Sequence, residues 1–64
     1  MTKVEKERFN AFLNARVRAY PDGFRRVGSS AVQTRWLVDG REVARRTDDQ
    51  DSGQSFYEIL DLNI

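Results

Sequence analysis

The sixty-four residues include no cysteine and no histidine. Without thiols there is no disulfide framework and no thiolate metal site. Without imidazole the commonest zinc ligand and general base is missing. Nucleophilic triads of the usual kinds are therefore excluded. Glycine is scarce and scattered, at Gly23, Gly28, Gly40 and Gly53, so no phosphate-cradling glycine loop exists. No apolar run approaches the roughly 20 residues of a membrane helix. The charged stretch from Val4 to Phe9 does not match a secretory leader. The expectation is one small domain spanning 1–64, cytoplasmic and not an enzyme. No catalytic residue, no metal site, no cofactor and no membrane contact is expected.

Basic charge is confined to the first part of the chain. Residues 1–47 hold all eleven basic side chains against five acidic ones, for a net charge of +6. Residues 48–64 hold five acidic side chains and no basic one. Like-charge blocks point to interaction surfaces. Nine of the eleven cations are arginine, which forms two-pronged contacts with carboxylates and phosphates that lysine does not reproduce.

The first segment reads as a helix. Thr2 and Glu5 have capping-box spacing. Phe9, Phe12, Leu13, Val17 and Tyr20 fall on one helical face. Pro21 disfavours helical geometry at Tyr20 and ends the element. Arg16 lies in the middle of that apolar face, so its head group must reach water or a carboxylate. A milder apolar side formed by Val4, Ala11, Ala15 and Ala19 widens the stripe. It would admit a second helix, most simply that of a twofold homodimer.

The second segment reads as a hairpin. Ala31 to Val38 and Arg41 to Thr47 flank Asp39-Gly40, a favoured two-residue turn. That turn predicts Trp36 opposite Val43, Thr34 opposite Arg45 and Val32 opposite Thr47. Val32, Trp36, Val38 and Val43 would then share the core side. Phe24 to Val27 reads as a short extra strand or an irregular lead-in.

Asp48 to Gly53 is a polar loop. Its partial alternation of Asp does not match a calcium loop, because the glycine is misplaced and flanking helices are absent. The last segment, Ser55 to Ile64, reads as a strand with Phe56, Glu58, Leu60, Leu62 and Ile64 on one face. As a helix it would use Ser55 and Glu58 as a second capping box. A strand there, beside Arg41 to Arg46, would bring Glu58 and Asp61 near those arginines.

The fold class is therefore α+β: an N-terminal helix on an antiparallel meander of about three strands, with α-β-β-α as the alternative. The expected function is a small non-catalytic protein-binding accessory, an inhibitor, adaptor or assembly subunit that occupies a surface of a larger partner. Its candidate partner-binding residues are Arg16, Arg45, Arg46, Tyr57, Glu58 and Asp61. The rival reading is a nucleic-acid-binding module. A basic β-ribbon carrying Arg25, Arg26, Arg35, Arg41, Arg45 and Arg46 would contact phosphates and enter a groove. A segregated basic face would favour nucleic acid. Interleaved charges would favour a protein partner or plain self-pairing.

Overall fold

The computed structural model describes residues 2–61. The chain is α+β, with one helix packed on an antiparallel sheet. Four strands follow the helix as a meander: β2 (Gly23–Val27), β3 (Ala31–Val38), β4 (Arg41–Asp49) and β5 (Gln54–Ile59). A three-residue strand, β1 (Thr2–Val4), precedes helix α1 (Lys6–Arg16) and pairs with β5. The sheet order is β1-β5-β4-β3-β2. The count exceeds the three strands expected from sequence because Phe24 to Val27 is a true strand and β1 adds to the far edge.

Thr2 lies in a strand, so the proposed capping box does not form. Glu5 takes the extended N-cap geometry instead and makes no side-chain cap bond. The helix buries Phe9, Phe12 and Leu13, the i, i+3, i+4 part of the expected stripe. It stops at Arg16, one turn before the expected end, with the Val17 N–H donating to the Leu13 carbonyl. Val17 still packs against the core, but Tyr20 is 81% exposed. Ala11 and Ala15 lie on the exposed side of α1, and Ala19 lies beyond its end.

Asp39-Gly40 closes the β3–β4 hairpin as expected. Both residues have positive φ, 52° and 80°, which is the signature of the turn type whose twist matches the flanking strands. Val38 faces Arg41, but beyond Leu37 and Glu42 the ladder shifts by one. Trp36 then faces Ala44 rather than Val43, Thr34 faces Arg46 rather than Arg45, and Val32 faces Asp48 rather than Thr47. The extra residue is Val43. Such a bulge places two residues against one, and here both Val43 and Ala44 are buried. The displaced Val43 carbonyl accepts the N–H groups of Leu60 and Asp61 at 2.8 and 3.3 Å, which holds the chain as it leaves β5.

The last segment is a strand from Gln54 to Ile59, not a helix, so the α-β-β-α alternative does not hold. Its core side differs from the expected one. Ile59 is buried and Tyr57 packs beside it, while Phe56 is 39% exposed on the other face. Leu62 and Ile64 lie outside the described residues. The core is Phe9, Phe12, Leu13, Trp36, Val43, Ala44 and Ile59, with Val4, Val17, Val38 and Tyr57 around it. Phe9 is its centre, edge-on to Trp36 at 5.4 Å and tilted against Tyr57 at 5.2 Å. Such aromatic pairs add roughly 0.5–1.5 kcal/mol beyond burial of area. The Trp36 indole N–H is buried without an acceptor among the described residues.

Candidate functional site

Register sorts the charged side chains onto two faces, because alternate residues of a strand point to opposite sides. On the face away from α1, Arg35, Arg45 and Glu58 form one cross-strand row, with Glu42 in the next row opposite Leu37. Glu42 is the hub of a network. Arg35 Nε donates to it at 2.8 Å, and the Arg45 and Arg25 guanidinium groups lie 3.4 and 3.5 Å away. Burial alone would push the Glu42 carboxyl up. The Arg35 hydrogen bond and the charges of Arg25, Arg35 and Arg45 outweigh it and hold the group below the ordinary glutamate range. Arg45 Nε also donates to Glu58 at 2.9 Å. That bond to Glu58 raises the Arg45 pKa against the desolvation that opposes it. Glu58 is 7% exposed, so it is a buried carboxylate with its cation in place.

The other expected site residues are dispersed. Arg41 pairs with Asp61 at 2.9 Å beyond the network. Arg46 points to the helix side, where it pairs with Asp48 at 3.0 Å and approaches the Thr34 hydroxyl. Tyr57 lies against Phe9 in the core. Arg16 is exposed in the last turn of α1. The six residues singled out for a protein partner therefore fall on both faces of the sheet and on the helix.

The arginine set singled out for nucleic acid is interleaved with carboxylates. Arg25, Arg35, Arg41, Arg45 and Arg46 each have one within 3.5 Å. Arg26 has no carboxylate partner among the described residues. The acidic loop is also engaged internally. The Asp49 carboxylate accepts the Asp51 N–H at 3.0 Å, and Asp48 accepts the Ser55 hydroxyl at 2.6 Å. The Asp51 N–H is the main reason the Asp49 carboxyl sits below its ordinary range. Among the described residues no cluster of side chains is arranged to hold a metal ion.

Among the described residues, one surface is left without an internal partner. On the helix side, Trp36, Ala44 and Ile59 form a row beneath α1. The neighbouring rows run Phe24–Thr34–Arg46–Tyr57 and Arg26–Val32–Asp48–Ser55. The helix covers the β5 end of this face, and at the β2 end Phe24 is 68% exposed. β2 is also an edge of the sheet, so alternate backbone groups along it face outward unpaired. Asp22 pins its start, accepting the Leu37 N–H at 2.7 Å and an Arg18 guanidinium N–H.

Phe24 and Glu42 are the positions that sequence reasoning passed over. Glu42 is the one acidic residue between Arg35 and Arg46 apart from the turn residue Asp39, a signal that could have marked it as the hub. Phe24 is followed directly by Arg25 and Arg26, an aromatic–cation run with interface character. Comparison with known proteins finds no matching protein-family model, no matching curated protein and no matching solved structure.

Proposed function

We propose that the chain is a small non-catalytic protein-binding accessory, and that it engages its partner through the β2 end of the sheet. The observation that carries this reading is the exposed Phe24 on an open edge strand, beside Arg26, which has no carboxylate partner among the described residues. Aromatic residues and arginine are enriched where proteins meet. Elsewhere on the sheet Arg35, Arg41, Arg45 and Arg46 are each paired with a carboxylate of the chain itself. The Arg–Glu network supports a protein partner over nucleic acid, because phosphate binding would first have to break pairs with Glu42, Glu58, Asp48 and Asp61.

The test is affinity capture from cell extract with wild-type bait and with Phe24→Ser, each with and without nuclease. A stoichiometric protein that survives nuclease and is lost with Phe24→Ser supports the reading. Capture that disappears with nuclease refutes it, and the arginine-rich hairpin then becomes the interface. In that case binding should also fall steeply with salt, as counterion release requires.

A further inference from the structure

We infer that β2 receives an acidic, extended segment of the partner protein, which adds to the sheet as a sixth strand; this rests on the protein-binding reading above. The two edges of the sheet differ. β1 is three residues long, whereas β2 offers five residues beside β3. An incoming strand gains main-chain hydrogen bonds along such an edge, and side chains on alternate faces set which strand is accepted.

The side chains of β2 specify charge. Phe24 and Arg26 lie on the helix side, and Arg25 lies on the opposite side. No acidic residue occurs between Gly23 and Val27. The Arg26 guanidinium has no carboxylate among the described residues. Arg25 shares Glu42 with Arg35 and Arg45, so that single carboxylate is surrounded by three cations. A partner strand with carboxylates on both faces therefore meets Arg26 on one and, on the other, Arg25 at the rim of a cluster in which Arg25, Arg35 and Arg45 outnumber Glu42 and Glu58. An apolar residue two positions from one of those carboxylates would cover Phe24.

The same residues reject other occupants. A second copy pairing antiparallel about the centre of β2 would set Arg25 against Arg25, and like charges directly opposite are destabilising. A neutral strand would leave Arg26 with reduced hydration and no partner. Charged residues on an edge commonly act against indiscriminate pairing; here they select a strand of opposite charge.

The test is selection of random heptapeptides displayed on phage against the immobilised full chain. A synthetic copy of the best binder is then titrated into isotope-labelled protein and followed by amide chemical shifts. The expected result is enrichment of peptides with two or more carboxylates, and shifts centred on Gly23–Val27. Arg26→Glu should weaken the synthetic peptide by about tenfold or more. Arg8→Glu, the same charge change on the exposed side of α1, should leave the affinity within about twofold of wild type.

Several outcomes would overturn the inference. They are no enrichment, enrichment of neutral or basic peptides, equal loss with Arg8→Glu, or self-association of the chain through β2. Acidic peptides that shift amides away from β2 would overturn it too, while leaving the protein-binding reading standing. That reading fails separately, on the nuclease experiment.

Discussion

Arg45 reaches from β4 across to β5 and sets its Nε 2.9 Å from a Glu58 carboxylate that is almost wholly withdrawn from water. A buried carboxylate left alone is costly, whereas removing both partners of such a pair can be close to neutral. Arg45→Met should therefore destabilise the domain by about 3–5 kcal/mol. The double change Arg45→Met with Glu58→Leu should recover most of that loss. Urea unfolding of the two single variants and the double variant measures the coupling directly.

Glu42 links the network to pH. Its folded carboxyl titrates below the ordinary glutamate value, because arginine pairing outweighs the effect of burial. A depressed folded pKa contributes stability above the unfolded value, and that contribution fades as pH falls through the folded value. Wild type should lose stability progressively below about pH 4.3. Glu42→Gln should be less stable at pH 7 and should show a shallower decline on acidification. Urea midpoints collected across that range decide the matter.

Phe9 and Tyr20 share the helical spacing but not the environment. Phe9 is 1% exposed, edge-on to Trp36. Phe9→Ala should cost about 3–5 kcal/mol. A domain of this size has roughly 3–10 kcal/mol in total, so the loss is a large share of it and should appear as a much lower urea midpoint by circular dichroism. Tyr20→Ala should stay within about 0.5 kcal/mol of wild type.

The β3–β4 turn needs a residue that tolerates positive φ at position 40. Gly40 has φ 80°, and a Cβ there would meet open space, so strain and not collision sets the cost of replacing it. Gly40→Val should destabilise by about 1–2 kcal/mol. Asp39→Gly should be tolerated far better, because the Asp39 backbone at φ 52° suits glycine. Thermal unfolding of both variants gives the comparison.

The parts of this fold that were legible in the sequence are those set by local chemistry. The Asp39-Gly40 turn, the Phe9, Phe12, Leu13 stripe and the alternation of the last segment each specify an element without reference to the rest of the chain. What was not legible depends on distant partners. β1 is a strand because β5 lies beside it, and its Thr2-x-x-Glu5 spacing imitates a helix cap. The helical period runs on to Tyr20, but the chain leaves the helix at Arg16 and, from the next turn, half-buries Val17 alone. The bulge at Val43 is invisible to a period-two pattern, so the expected pairing was correct at Val38 and one residue out from Trp36 onward. The surface proposed for interaction was hidden for a related reason. Which arginine is spare depends on which carboxylates the sheet delivers to the others, and that is a matter of register.

The position of β1 bears on how the molecule assembles. β2 to β5 follow one another in the chain, so each of their hairpins closes a short loop. β1 and β5 join opposite ends of the described chain, with Val4 beside Tyr57. Loop-closure entropy makes that contact the most expensive in the sheet to form. Amides of β1 should accordingly exchange with solvent deuterium sooner than those of β3 and β4. Opening of this kind frees one side of β5 and leaves the pairing of β2 with β3 untouched, so the two edges of the sheet differ in how readily they come apart.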